Sequence, residues 1–449
     1  MSDPARDLAR DLFLGIDLGT SGVRAVALDA AGGLIAQARA PLPEPLREPQ
    51  PDGERRHQDP ALWWQAVQTV LDELLTRLDR AAVRALAVDG TSGTLLLTDA
   101  AGRPLAPASM YNDRAPAAWV ARVAELAPAD SAAHGSSSPA ARLLEALSTH
   151  PQAAHALHQA DWIAAQFSGR LGLSDDNNAL KLGWEPRERV WPQWLTQASV
   201  PNGLLPRVLA PGEAIGPVTP AIAERFGLPE ACLVVAGSTD GVAAFLATGA
   251  DQVGDAVTSL GSTLVVKLLA DRPVSAPEFG LYSHRLGTGG GVRWLVGGAS
   301  NSGGAALLQH FSAERMAELT PALRPDAPTG LNYYPLPAPG ERFPINDPAL
   351  PPRVTPRPTD DARFFQGLLE GVAGVEQLAY QRMAALGAPA PRRVFTVGGG
   401  ARNAAWTRLR AQALGVPMAE PAQEEAACGS ARLARQGWTA AQANRQECG

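Results

Sequence analysis

Three short stretches carry residue types suited to phosphoryl chemistry. Asp17-Leu-Gly-Thr-Ser-Gly22 sits between two apolar runs. Glycines at 19 and 22 let the backbone approach a phosphate, and Thr20, Ser21 and main-chain N–H groups can donate to its oxygens. Asp17, at the end of a buried strand, can hold Mg²⁺ directly or through water. An ordinary hairpin with an Asp in its turn reads the same way, so the stretch alone decides nothing. Its echo does more: Leu260-Gly261-Ser262-Thr263 repeats the pattern far downstream, and two such hairpins could clamp one polyphosphate. The third stretch, Gly398-Gly399-Gly400-Ala401-Arg402-Asn403, follows a strand and opens a helix. It admits a flat ring or a phosphate and offers Asn403 near the helix start. It is not GxGxxG, so no dinucleotide fold is implied.

Other residues could meet a substrate. Gly237-Ser238-Thr239-Asp240-Gly241 ends one strand and begins a helix. Asp240 there is either an N-cap or a base positioned to accept a hydroxyl proton. Asp89-Gly-Thr-Ser92 and Tyr111-Asn-Asp-Arg114 offer short polar side chains suited to sugar hydroxyls, or form solvated turns. The seven histidines show no metal-ligand spacing, and His134, His150, His155 and His158 have no partner identifiable from sequence. Of 39 basic residues only Lys181 and Lys267 are lysines, and neither follows a glycine, which excludes a Walker A loop.

The elements that position these residues follow from patterning. Strands are expected at Phe13–Asp17, Val23–Asp29 and Leu34–Ala40, then a proline-rich excursion over residues 41–52. Asp59-Pro60 opens a helix reaching about Asp79, with Leu62, Ala66, Val67, Val70, Leu74 and Leu75 on one face. Trp63 and Trp64 read as core residues. Strands follow at Arg84–Asp89, Thr94–Asp99, Leu233–Ala236 and Arg393–Val397, and helices from Asp240 to about Thr248, at Asp361–Leu386 and at Arg402–Leu414. Residues 331–359 read as a long ordered loop. The repeated hydroxyl-bearing hairpin points to an internal duplication, hence two α/β domains facing each other across a cleft.

Composition bounds the rest. At 449 residues the chain suits two or three domains, and 45% hydrophobic against 19% charged residues supports large cores. No apolar run is long enough for a membrane helix, and the charged start lacks a signal-peptide core. A net charge of −6 with interspersed signs argues against nucleic-acid binding. Cys232, Cys428 and Cys448 share no ligand spacing and fit a reducing cytoplasm.

In order and type these motifs resemble the FGGY carbohydrate kinases over about Phe13–Leu433. The resemblance implies two actin-like (ribonuclease H-like) ATPase domains, a sugar-binding one at 11–246 and an ATP-binding one at 247–440. It implies ATP and Mg²⁺ as cofactors and a small-molecule sugar as substrate, with no nucleic-acid or membrane partner, in a cytoplasmic monomer or homodimer. Asp17, Thr20 and Ser21 then form the first phosphate motif, with Asp17 as metal ligand, and Gly261 and Ser262 belong to the second. Gly398, Gly399, Gly400 and Asn403 resemble the adenosine motif, and Gly303 lies by the nucleotide. Asp240 resembles the catalytic base, and Ser92, Asp17, Ser21 and Asp240 contact the sugar. Xylulokinases carry Gln-Met-His-Gly where this chain has Asp89-Gly-Thr-Ser-Gly93. That difference, with Asn178-Ala-Leu-Lys-Leu-Gly183 and Tyr334-Pro-Leu-Pro…Gly340-Glu-Arg-Phe-Pro344, is similar to the D-ribulose kinases of cyanobacteria and plants. Xylulose or polyol phosphorylation, and an actin-like ATPase switch without a sugar, are the competing readings.

Overall fold

The computed structural model describes residues 11–50, 53–288 and 291–447; the charged start and Cys448 lie outside the described residues. Of the described residues, those within 1–247, 285–289 and 425–449 form one compact α/β unit and those within 248–284 and 290–424 a second.

The first unit is built on a central strand that alternates the branched aliphatics Leu12, Leu14, Ile16 and Leu18 with Phe13, Gly15 and Asp17. β1 (Leu12–Leu18) pairs antiparallel with β2 (Gly22–Asp29), which pairs with β3 (Leu34–Pro41). Residues 41–52 do not simply wander, as the prolines imply: the exposed β4 (Leu46–Gln50) pairs antiparallel with β5 (Gly53–Gln58), Leu46 opposite His57. β6 (Val83–Gly90) lies parallel to β1. A second, five-stranded sheet takes β4, β5, β7 (Leu95–Thr98), β8 (Ala108–Ser109) and β9 (His155–His158). β10 (Leu173–Asp175) and β11 (Arg207–Leu209) pair with each other, while β12 (Ala214–Pro217) and β13 (Leu233–Thr239) complete the main sheet. Its order is β12-β13-β6-β1-β2-β3.

Helices cover both faces of that sheet. In α1 (Pro60–Leu75) the Asp59 carboxylate caps the Ala61 N–H at 2.9 Å, Pro60 sets the first turn, and Trp63, Val67, Val70, Leu71 and Leu74 are fully buried. α2 (Ala117–Leu126) and α3 (Pro139–Thr149) build a satellite core under the second sheet. α4 (Gln159–Ser168), α5 (Gln193–Gln197), α6 (Pro220–Phe226) and α7 (Asp240–Ala247) follow.

The second unit repeats the central topology. β14 (Asp255–Leu260) pairs antiparallel with β15 (Leu264–Ala270), and β16 (Tyr282–Thr288) and β17 (Gly291–Ser300) extend that side. α8 (Gly304–Leu308), α9 (Ala313–Leu319) and the 25-residue α10 (Asp361–Ala385) precede β18 (Arg393–Val397), α11 (Ala404–Leu414) and β19 (Met418–Ala419). β18 is parallel to β14, so β17-β15-β14-β18-β19 matches β3-β2-β1-β6-β13 strand for strand. This is the duplication that the paired hairpins announce. Residues 331–359 hold no helix or strand, only isolated bridges such as Tyr334 to Arg353.

One boundary departs from the expected 247–440 span. α12 (Ala426–Glu447) belongs with the first unit, lying on β1, β6 and α7. It approaches so closely that a Cβ on Gly15 would meet the Ala427 carbonyl at 1.8 Å, and one on Gly429 the Ala243 carbonyl at 1.9 Å. No side chain fits at either position.

Candidate active site

The first unit gathers acidic groups where its parallel strands end. Register sets Asp17 on β1 opposite Asp89 on β6, and Asp89 opposite Ser238 on β13, so one row crosses three adjacent strands. Asp240 follows two residues later as the first residue of α7, its Oδ1 accepting the Gly241 N–H at 2.6 Å. Asp17 is buried and accepts from Arg24 Nη1 at 3.2 Å, the residue opposite it on β2. Burial raises the Asp17 carboxyl above its ordinary value, opposed by Asp89 and Arg24. Burial, then the Asp17 charge, pushes Asp89 up further, and Asp240 adds to it. Two carboxylates cannot hydrogen-bond unless one holds a proton. When both are ionised Asp89 keeps one contact, from Ser430 Oγ of α12 at 2.6 Å, and its Oδ1 has none.

The hairpin after Asp17 is closed by Gly19 N–H donating to the Gly22 carbonyl at 3.0 Å. Thr20 is half-buried and Ser21 exposed. Gly19, Ser21, Gly22, Arg24 and Arg39 line a hollow of about 330 Å³, with Glu425 bridging Arg24 and Arg39. Among the described residues no three His, Cys, Asp or Glu side chains are grouped to hold a metal ion. Mg²⁺ needs no such cage, because it keeps several waters and takes one or two carboxylates plus phosphate oxygens. Asp17 with the unpartnered oxygen of Asp89 fits that requirement.

The turn after β6 is tightly held. Thr91 donates through its N–H and hydroxyl to Gln159 Oε1 at 3.0 and 2.9 Å, and its hydroxyl lies 2.6 Å from that of Thr94. Arg142, buried, with burial lowering it to about 10, donates to the Gly93 carbonyl at 2.5 Å. Thr91 is thus engaged by the protein, and half-buried Ser92 is the hydroxyl left at the turn. Beyond it, Asn177 Nδ2 donates to Ser238 Oγ at 3.0 Å. His158, without a partner identifiable from sequence, is fully buried and set 3.1 Å from Asp161.

The second unit holds a cavity of about 470 Å³ that collects most of the nucleotide candidates. Gly261, Ser262, Gly399, Gly400 and Asn403 line it beside Gly304, with Leu307, Leu308, Met316 and Phe365 as apolar walls. Gly398 has φ +88°, and a Cβ on Gly400 would strike Leu260 at 2.7 Å, so the fold itself requires both. A Cβ on Gly399 would meet nothing within 4 Å, so packing does not require a glycine there. Gly303, at φ +137°, packs against Thr263, and the Gly304 N–H donates to the Gly261 carbonyl at 2.9 Å. Asn403 is the N-cap of α11: its Oδ1 accepts from Trp406 N–H at 3.0 Å and its Nδ2 donates to Thr320 at 3.2 Å. The helix starts at Ala404 rather than Arg402 for this reason.

Gln159 and Ser430 are the residues that motif reading passed over, and Asp89 was read only as part of a sugar-facing polar turn. Asp89 carried a signal, an Asp-Gly closing an apolar strand as Asp17-Leu-Gly does. Ser430 carried none, because its partner is 341 residues away.

Two repeated α/β units, one with carboxylates at its strand ends and one with a glycine-lined slot, define a phosphotransferase of sugar-kinase type. Family models agree: the N-terminal domain of the FGGY family of carbohydrate kinases matches residues 12–247 and the C-terminal domain 256–438. The chain belongs to the FGGY family of carbohydrate kinases, enzymes that phosphorylate sugars with ATP. It is 27% identical to the xylulose kinase of Escherichia coli over 90% of this chain and 85% of that one. It is 26% identical to the glycerol kinase of Alkalilimnicola ehrlichii over 94% and 89%. The crystal structure of a xyloylose kinase from Brucella ovis superposes with a TM-score of 0.82 at 25% identity, covering 96% of this chain and 91% of that one. Among the described residues no helix is long and apolar enough to cross a membrane.

Proposed function

We propose that this kinase transfers the γ-phosphoryl group of ATP to the terminal primary hydroxyl of a free ketopentose, D-ribulose. The first unit takes the sugar through Asp17, Ser21, Ser92 and Asp240; the second takes the nucleotide through Gly261, Ser262, Gly303 and Gly398–Asn403. Asp240 orients the acceptor hydroxyl and receives its proton, at a helix start where the dipole favours the ionised carboxylate. Thr20, Ser21 and the main-chain N–H groups of the first hairpin steady the charge on the transferring group. Mg²⁺, held by Asp17 with Asp89 beside it, would supply further charge neutralisation there.

The observation that carries the ribulose reading is the turn after β6. D-ribulose and D-xylulose differ only at C3, so discrimination falls to a group meeting that hydroxyl. With Thr91 engaged by Gln159 and Thr94, Ser92 is the small hydroxyl available for it. A buried hydroxyl left unpaired costs about 1–3 kcal/mol. The second reading, D-xylulose, is favoured by the xylulose kinases among the relatives. An ADP-release assay across free ketoses, pentitols and glycerol decides. We expect kcat/KM for D-ribulose at least about tenfold above D-xylulose, a gap of about 1.4 kcal/mol, narrowed by Ser92→Ala. Equal use of both sugars, or preference for D-xylulose or glycerol, removes the ribulose assignment.

A further inference from the structure

The proline-rich segment 331–359 places one acidic side chain, Glu341, inside the second unit at 2% exposure. No cation pairs with it among the described residues; donors surround it instead. Its Oε2 accepts from Ser300 Oγ at 2.6 Å and Tyr334 OH at 2.9 Å, and its Oε1 from the N–H groups of Asn301 at 2.8 Å and Arg342 at 2.9 Å. Asn301 Nδ2 returns a hydrogen bond to the Gly340 carbonyl at 2.9 Å. Burial keeps Tyr334 a phenol, and so a donor.

What Glu341 grips is the end of β17, and that end is stitched to the second hairpin. Ser302 N–H donates to Ser300 Oγ at 3.0 Å, and the Ser302 carbonyl accepts from Leu264 N–H at 2.7 Å. Gly304 and Ala305 N–H groups reach the carbonyls of Gly261 and Ser262 at 2.9 and 3.0 Å. One side chain thus sets Ser300 and Asn301, those residues set the 302–305 turn, and the turn sets the hairpin that lines the cavity. A carboxylate suits this task because both oxygens accept, and hydrogen bonds to an ionised acceptor are shorter and stronger than neutral ones.

We propose that Glu341 is a positioning residue for the nucleotide: it fixes the Ser300–Ala305 turn and thereby the Gly261–Ser262 hairpin, without touching ligand itself. The inference rests on the reading that this cavity takes the nucleotide. Glu341→Gln keeps size but not acceptance on both sides. The main-chain N–H groups of Asn301, Arg342 and Phe343 hold the remaining oxygen, so the new amide faces Ser300 and Tyr334, whose hydroxyl protons then lose their acceptor.

The test is titration calorimetry with ADP and steady-state kinetics on the full chain, for Glu341→Gln, Tyr334→Phe and Ser262→Ala. For Glu341→Gln we expect the ADP Kd and the ATP KM to rise about tenfold, the scale of one lost charge-assisted hydrogen bond, while the sugar KM stays within about twofold. Tyr334→Phe, which removes one donor and little volume, should raise both nucleotide constants about threefold, and it carries the test if the Gln variant does not fold. Unchanged nucleotide constants in the folded Glu341 or Tyr334 variants, with Ser262→Ala still weakening ADP, overturn the positioning role alone. Unchanged constants in all three overturn the nucleotide reading of the cavity and this inference with it. A sugar KM that rises in step with the ATP KM also overturns it, because a general structural role would move both.

Discussion

The two units share a central topology and treat buried charge in opposite ways. Where the first sets Asp17 opposite Asp89 on its central parallel pair, the second sets Ser259 opposite Val397. One residue back, the second unit has Thr258 opposite Thr396, and both serve a complete network. Glu376, fully buried, accepts from Arg410 Nε at 2.6 Å and Nη2 at 2.7 Å and from Thr258 at 2.5 Å, and Arg410 Nη1 reaches Thr396 at 2.7 Å. Asp89, equally buried, has Ser430 and the neighbouring Asp17 carboxyl but no paired cation among the described residues. The topology therefore does not call for acids at these strand ends, since the second unit folds without them. Paired charge there ties α10 and α11 to the sheet; poorly compensated charge in the first unit stands ready for a cation or a substrate hydroxyl.

That contrast breaks most sharply at Asp240 and Arg410. Asp240→Asn removes the proton acceptor and keeps the shape, so kcat should fall about 10²–10⁴-fold with little change in the unfolding midpoint or in ATP affinity. Near-normal turnover would remove the base assignment. Arg410→Met should behave in the reverse sense. It leaves Glu376 buried without its cation, which destabilises by about 3–5 kcal/mol, while the molecules that remain folded turn over normally. Adding Glu376→Gln should recover part of the loss. Denaturant unfolding with activity normalised to folded protein separates the two, and a pair of variants that lost stability and turnover in equal measure would erase the distinction drawn between the units.

How much of this was legible in the sequence depends on how local each determinant is. The hairpins, α1 with its Asp59-Pro60 start and the repeat itself rest on neighbours a few residues apart, so periodicity and turn chemistry expose them. The glycine run over 398–400 was equally visible, although the packing that separates Gly399 from Gly398 and Gly400 was not. What stayed hidden is long-range. Nothing near residue 430 says that α12 lies against β1 and carries a hydroxyl to Asp89. Nothing in a proline-rich loop says that Glu341 turns inward. Thr91 and Ser92 looked equivalent as written; only Gln159 on α4, brought alongside, tells them apart.

A milder way to probe the contrast is to replace the buried acid that has no paired cation among the described residues. Burial and the Asp17 charge make Asp89 costly to ionise, and Asp89→Asn removes that cost while its side-chain carbonyl still accepts from Ser430. We expect a higher unfolding midpoint together with loss of sugar-dependent turnover, the trade-off of a site held ready at the expense of stability. Arg410→Met, on the paired side, lowers the midpoint. If Asp89→Asn also lowers it, Asp89 is better compensated than its neighbours imply and the contrast fails.

The most pH-dependent effect belongs to Asp175, which is buried but well supplied with donors. Its Oδ1 accepts from the N–H of Asn177 at 2.9 Å and of Asn178 at 3.3 Å, and its Oδ2 from Asn178 Nδ2 at 2.6 Å. Burial, with the nearby Asp161 charge, still pushes its pKa up to about 8 against an ordinary value of 3.8. The folded state therefore holds a proton that the unfolded chain releases, and stability falls as pH rises from about 4 to about 8, then levels. Asp175→Asn removes that slope. Its new amide faces the Asn178 side chain, whose Oδ1 lacks a partner, so a flip of Asn178 restores the hydrogen bond. We expect wild type and variant to unfold at similar denaturant concentrations near pH 4, with the variant pulling ahead through pH 8 and the gap constant above it. A gap that narrows as pH rises would mean that Asp175 is held ionised in the fold, and that this corner of the first unit is as fully compensated as the Glu376 network.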